Sequence, residues 1–413
     1  MLPVDFLRNN WRLLAFGWTM MLCSSLGQTY FVSIFGGQIR AEFGLSHAAY
    51  GTCYSLGTLV SAGILMWAGR LIDRHSLVLY SVTVLIALAV AAAAITLVGG
   101  VIGLTIVFFA LRFFGQGLTT HGAMTAMGRY FSAERGRAVS FAALGHVTGQ
   151  AVLPLVTVAA LTVLPWRTVW LIGSGALLGL AVPIVVVLLR QVSAAKPGEA
   201  PRATTVAPMP GAEPSRDATL GHVLRDVRFY LWLPALLAPA YISTGLIFHQ
   251  VHIASAKGWG LTLVASALSA FAVGSFIMML CTGVLVDRYS ARRLVPFGMV
   301  PLGAACLVLS LSEASAAPFA FFGLLGVGSG MEAVIVGAIW AEVYGVTHLG
   351  AIRAFATAMV VFASGLAPVA VGVMIDTQWS VGAIAMSCAI YCGVASILAA
   401  LASRFPMDTT TRP

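Results

Sequence analysis

Twelve apolar runs divide the chain, each near the roughly 20 residues that a helix needs to cross a bilayer core. They fall at residues 12–36, 48–69, 78–98, 101–127, 138–163 and 167–190, and again at 229–252, 261–284, 293–312, 317–341, 352–375 and 380–402. Short polar stretches separate the runs, with one long interruption after the sixth. That interruption, residues 191–227, carries Pro197, Pro201, Pro208, Pro210 and Pro214 among Ala, Gly, Ser and Thr, the composition of a flexible tether. At its end Leu220, Val223, Leu224 and Val227 share one face of a predicted short amphipathic helix lying on the membrane surface. The domain reading is a six-helix bundle over 1–190, a tether with that short helix over 191–227, and a second six-helix bundle over 228–413.

Composition supports a chain solvated by lipid. Only 9% of the 413 residues are charged, against roughly a quarter in soluble domains. The net charge of +9 would suit nucleic acid, but the positions of Lys and Arg explain it otherwise. With the N-terminus in the cytoplasm, every Lys and Arg falls on the cytoplasmic side except Arg40, Arg167 and Lys257, which face outward, and Arg112, which lies within a span. This bias predicts a multi-pass protein of the cytoplasmic (inner) membrane with both termini inside, its charge facing anionic lipid. The opening residues run into the first span without a small-residue cleavage site, so no removed signal peptide is expected. The six Cys all lie in apolar stretches; Cys388 and Cys392, at i, i+4, read as small buried hydrophobes. No P-loop, metal-binding run or nucleophile–base cluster appears, so an enzyme and a bound cofactor or metal are not expected. A sensor would usually carry a further folded domain, and the tether is too short for one.

The charged residues are written twice. "GRLIDRH", Gly69 to His75, returns as "GVLVDRY", Gly283 to Tyr289, and Asp73 and Asp287 stand 214 positions apart. The same offset relates Gly136 to Gly350 and Pro154 to Pro368. Six spans repeated by six in parallel orientation is an organisation of secondary transporters. "GRLIDRH" resembles the loop 2–3 signature of the major facilitator superfamily, "GVLVDRY" with the following Arg292 and Arg293 resembles its echo in loop 8–9, and "RYFSAERGRA" resembles the loop entering helix 5 of those proteins. The resemblance covers about residues 10–402 apart from the tether, and the layout is nearest to monocarboxylate and oxalate:formate-type carriers. It implies an all-α membrane protein of twelve transmembrane helices in two pseudo-symmetric six-helix bundles, working as a monomer. It also implies that Asp73 meets the start of helix 11, near Gly350 to Arg353, and that Asp287 meets the start of helix 5, near Gly136. Gating residues on this reading are Gly69, Arg70, Asp73, Arg74, Gly283, Asp287, Arg288 and Arg137. Gly69 and Gly283 are expected to permit close helix approach, and the helix ends to attract opposite charge. The alternative reading is a topology anchor that keeps Arg inside.

Charge within hydrocarbon is costly and so is rarely idle. Glu332, past the midpoint of the tenth span, is the clear acid inside the membrane, and Arg112 lies midway along the fourth. Burial favours a protonated carboxyl group, which makes Glu332 the proton-coupling candidate and Arg112 the anchor for an anionic solute. A structural Arg–Glu or Arg–backbone tie remains open for Arg112; "RFFGQG" also resembles the helix 4 Arg motif of proton-coupled members. His121, His146 and His249 fall within spans, and His146 shares a face with Gly149 and Gln150, as a proton relay or as a packing residue. His121, Met124 and Met127 invite a soft metal, although the i+6 position swings off that face. Ser24, Ser25 and Gln28 form a polar stripe beside Tyr30, and Tyr241, Ser243, Phe248 and Gln250 answer it in the seventh span, where His249 also counts as a pathway candidate.

These residues predict a secondary carrier for a small organic anion or metabolite, coupled to protons, with the solute, H+ and the lipid bilayer as its only partners. Drug or metabolite efflux on the same fold is the alternative, and uptake of a soft metal or metal chelate a weaker one. "GHVTGQAVLP" lacks the Gly-Pro-x-x-Gly-Gly that marks drug–proton antiporters. The eighth span carries no charge before Asp287 and the eleventh no Lys, so a single anchor, Arg112, fits a monoanion or neutral solute better than a dicarboxylate.

Overall fold

The computed structural model describes residues 4–131, 135–190, 218–345 and 348–404. Among these residues the chain is helical throughout, because in hydrocarbon every backbone N–H and C=O must find a partner within its own segment. Eleven helices are long and apolar enough to cross a membrane: α2 His47–Arg74, α3 Leu77–Leu97, α4 Val101–Tyr130, α5 Gly136–Leu161, α6 Trp166–Leu189, α7 Val227–Phe248, α8 Leu261–Tyr289, α9 Ala291–Leu311, α10 Ala317–Tyr344, α11 Leu349–Asp376 and α12 Val381–Arg404. With α1, which opens as a regular helix over Val4–Cys23, they make the twelve expected. Pro154 and Pro368, related by the repeat, lie inside α5 and α11.

Two compact units divide the chain. One holds Met1–Met209 together with the segments Ile247–His252 and Pro368–Val373; the other holds Pro210–Leu246, Ile253–Ala367 and Met374–Pro413. Short pieces at the end of α7 and within α11 thus group with the first unit.

Small residues set the packing in each unit, as expected where helices meet without a hydrophobic drive between them. In the second unit α10 lies backbone-to-backbone on α8. A Cβ at Gly326 would stand 2.1 Å from the Phe271 carbonyl oxygen, and one at Gly330 2.3 Å from that of Ser275. In the first unit Gly57 of α2 lies against the Phe109 amide of α4 in the same way. Aromatic rings fill the space left between helices: Tyr50 stacks on Phe248 at 4.8 Å, and Phe31 and Phe35 pack on the buried Trp170.

Two expectations about segments need correction. The predicted first span, 12–36, is not one helix. The chain runs from residue 4 to 43 and is broken in the middle, because a small polar run, Ser-Ser-Leu-Gly-Gln, replaces the apolar residues there. The surface helix at 220–227 is a single turn, Leu220–Val223. Val223 is buried while Leu224 and Val227 are exposed, so the four apolar residues do not share a face, and Val227 already belongs to α7. What ends that turn is Asp226, whose carboxylate accepts from the amide and Nε of Arg228 and from the Tyr344 hydroxyl. Burial raises the Asp226 pKa, but the Arg228 side-chain and amide hydrogen bonds, its charge and Tyr344 more than offset that and leave it below the ordinary carboxylate value. The tether proper, 191–217, lies outside the described residues.

Candidate functional site

The break in α1 is the centre of the site. After Cys23 the chain tightens into a 3₁₀ turn over Ser24–Gly27, and Gln28 then turns extended, with φ −86° and ψ 150°. Helix resumes at Thr29–Val32, tightens again over Ser33–Phe35 and ends in Gly36–Phe43. A break inside hydrocarbon leaves backbone groups that must be satisfied by neighbours. Arg112 does this for one of them: its Nη1 donates to the Gly27 carbonyl at 3.1 Å and lies 3.5 Å from Thr29 Oγ1. The guanidinium also sits over the Tyr54 ring, 5.2 Å from its centroid, while the Tyr54 hydroxyl bonds Thr29 Oγ1 at 2.8 Å. Arg112 is only 4% exposed.

The α4 segment that carries Arg112 is itself irregular. Leu111–Thr119 winds as a π-helix, a wider turn found mostly at functional sites. Gly27 and Gly115 explain the fit. A Cβ at Gly27 would lie 2.2 Å from the Leu111 carbonyl oxygen, and one at Gly115 2.7 Å from the Gly27 Cα. Backbone of the α1 break therefore presses directly into the widened part of α4, which only glycine permits.

α5 closes the other side. Gly145 lies on the Trp18 carbonyl, and the place of a Cβ at Gly149 is taken by Ser25 Oγ and, 3.1 Å away, by the Tyr30 hydroxyl. His146 meets the Tyr30 ring edge-on at 5.7 Å between centroids, and Gln150 is buried one turn further along. Gln250 completes the first unit's cluster: its Nε2 donates to the Tyr30 carbonyl at 3.0 Å and to Ser33 Oγ at 2.8 Å.

The structure thus brings together Arg112, Tyr30, His146, Gln150 and the Gln28 turn, all around residues 24–33. Glu332 and Tyr241 belong to the second unit. Both are half-buried there, and Glu332 has no hydrogen bond or ion pair with any described residue. His249 is not inside a helix as expected. It occupies the interruption between α7 and a following short helix, Gln250–Ala256, with Nε2 2.9 Å from the Pro368 carbonyl oxygen. His121 likewise has its own partner, the Gly69 carbonyl at 3.1 Å, which occupies the imidazole proposed for a soft metal.

The two charged loops are each tied within their own unit. Asp73 pairs with Arg129 at the end of α4, whose Nη1 also donates to the Ile72 carbonyl at 3.2 Å. Arg129 was not singled out in the sequence, although its place at the end of α4 puts a cation where a helix C-terminus favours one. In the second unit the acid is on the other partner. Glu342 of α10 accepts from the Ser290 hydroxyl at 2.6 Å and the Ala291 amide at 2.7 Å, capping the start of α9. It also steadies Ser290, a non-glycine residue at φ 77°. Arg353 donates to the Gly337 carbonyl within the same unit. Gly69 is close-packed against His121, while among the described residues nothing lies within 4 Å of a Cβ at Gly283. Arg70, Arg74, Asp287, Arg288 and Arg137 are exposed.

The described residues form apolar helices of spanning length, with one interrupted helix beside a buried cation. The family model of the Major Facilitator Superfamily matches residues 17–251 and 240–412, and the chain belongs to that superfamily of multi-pass membrane transporters. Among solved structures, a bacterial homologue of the human lysosomal transporter Spinster, in an inward-facing and occupied conformation, is 14% identical with a TM-score of 0.67, covering 96% of this chain and 97% of that one. The nucleoside transporter NupG is also 14% identical with a TM-score of 0.67, covering 94% and 98%. At this identity the likeness is one of fold. No curated protein matches the chain.

Proposed function

We propose that the protein is a secondary active carrier, monomeric in the cytoplasmic membrane with both termini inside, that moves a small organic anion or metabolite by alternating access coupled to protons. The observation that carries this reading is the guanidinium of Arg112, buried at the α1 break with Tyr54 beneath it. A permanent cation in hydrocarbon is costly, and the Gly27 carbonyl uses only part of its donor fork. The remaining donors suit an anionic solute. Tyr30, Gln28, Gln150 and His146 shape the same place with uncharged polar groups. Glu332, on a different helix and without a partner, is proposed to carry the coupled proton, and Tyr241 and His249 to lie on the solute pathway.

Loops 2–3 and 8–9 are proposed to act as gates through Gly69, Arg70, Asp73, Arg74, Arg137, Asp287 and Arg288, with the Asp73–Arg129 and Glu342–Ser290 ties holding each loop to its own bundle. The expected engagement of Asp73 at α11 and of Asp287 at α5 stays part of this proposal.

A thermal-shift screen of small carboxylates, amino acids and drugs on purified protein tests the reading, repeated on Arg112→Ala and Glu332→Gln. Stabilisation by a small monoanion that disappears in Arg112→Ala supports it. Stabilisation unaffected by either change removes the site assignment.

A further inference from the structure

Among the buried polar atoms around the α1 break that have no hydrogen-bond partner among the described residues are Arg112 Nε, His146 Nδ1 and Gln250 Oε1, alongside Ser25 Oγ and the Tyr30 hydroxyl of the break itself. Each of the first three is fixed by another contact to one short stretch of chain. Arg112 holds Gly27 and Thr29, His146 lies on the Tyr30 ring, and Gln250 holds Tyr30 and Ser33. An unsatisfied buried polar atom costs about 1–3 kcal/mol, and these three lie beside the same seven residues. A solute bound at the break would supply the missing partners.

The kind of atom says what the solute must offer. Nε of Arg112 can only donate, and it calls for an anionic or carbonyl acceptor. The orientation of the Gln250 amide is settled by its neighbour: the Tyr30 carbonyl can only accept, so the nitrogen faces it and Oε1 is the atom left over. Oε1 can only accept. Gln250 itself is 3% exposed and opens the helical turn after the α7 interruption, which fixes its backbone.

We infer that Gln250 is a specificity-determining residue that reads a hydrogen-bond donor, a hydroxyl or an N–H, on the anion held at Arg112. The inference rests on the proposed anion-carrier reading and narrows it: the cargo is an anion with a donor, and an anion of the same size without one is rejected. A site built around a substrate donor discriminates strongly against the analogue that lacks it, because its own acceptor is then stranded.

The test uses purified full-length protein and matched acids that differ by one hydroxyl, propionate against 2-hydroxypropionate and butyrate against 3-hydroxybutyrate. Apparent affinity is read from thermal stabilisation across a concentration series. The wild-type protein is expected to prefer the hydroxylated acid of at least one pair by about tenfold or more. In Gln250→Met that preference should fall to within about twofold, with the unsubstituted acid still bound. Equal affinity within both pairs in the wild type, or a preference that survives in Gln250→Met, overturns the inference and leaves the carrier reading standing. If neither acid of either pair binds, both fall. Should Gln250→Met fail to fold, the wild-type ratios alone decide.

Discussion

α4 and α10 occupy the same place in the repeat and are used in opposite ways. The position that carries Arg112 in α4 falls, 214 residues on, at Gly326 of α10. In α4 that position is a guanidinium holding the broken α1, within a π-wound segment. In α10 it is a glycine whose missing side chain lets the helix rest on the Phe271 carbonyl of α8, and the winding is regular over all 28 residues of Ala317–Tyr344. The charged group of α10 comes later, at Glu332, and has no hydrogen bond or ion pair among the described residues. One half commits its charge to holding the broken α1. The other builds a close-packed helix pair and leaves its acid unpaired. This is the division expected if solute binding is localised in the first unit and proton exchange in the second.

The comparison is broken most severely by Gly27→Ala, which places a methyl group 2.2 Å from the Leu111 carbonyl oxygen. Loss of the monodisperse folded protein on size-exclusion chromatography in detergent is expected; a well-folded variant would show that α1 and α4 are not locked together. Next is Arg112→Met, which removes the donor from the Gly27 carbonyl. It should lower stability by about 1–3 kcal/mol, seen as a reduced melting temperature, and abolish solute-driven transport. Glu332→Gln sharpens the contrast. With no partner to lose, its melting temperature should stay at or above the wild-type value, while proton-driven accumulation is lost and solute exchange at equilibrium is kept.

A smaller effect is expected at Asp226. Its pKa is depressed in the folded protein, so the stability it contributes is present at neutral pH and is lost as pH falls from about 4 through the folded value. Asp226→Asn should therefore lower the melting temperature near neutrality and flatten its acid dependence. Gly283→Ala should change neither folding nor transport, since the space beside it is open. A marked loss there would mean that a helix does approach loop 8–9 during the cycle.

Much of the fold could be read from the sequence because hydropathy reports directly on spanning length, and because the 214-residue echo is carried by Gly, Pro and Asp, whose positions are tightly constrained. Arg112, His146 and Gln150 could be read for the same reason: polar groups stand out against hydrocarbon. What escaped was whatever depends on a neighbour. The π-winding of α4 follows from the pressure of the Gly27 backbone on Leu111–Gln116, and the interruption at His249 goes with its bond to the Pro368 carbonyl. Neither is a local property. "SSLGQ" did mark the α1 break, but small polar residues also serve helix packing, and the stripe was taken as part of a continuous span. The loop ties escaped because the acid changes sides: it is Asp73 on the loop in one half and Glu342 on the helix in the other.

The most direct measurement of the central claim is solute-driven proton flux in proteoliposomes containing wild-type, Arg112→Met or Glu332→Gln protein, with a small hydroxylated monocarboxylate as solute. An inward solute gradient should move protons in the wild type and in neither variant, while labelled solute still exchanges across Glu332→Gln vesicles and not across Arg112→Met vesicles. Proton movement of wild-type size in Arg112→Met, or coupled flux retained in Glu332→Gln, would contradict the assignment of solute to the α1–α4 centre and of the proton to α10.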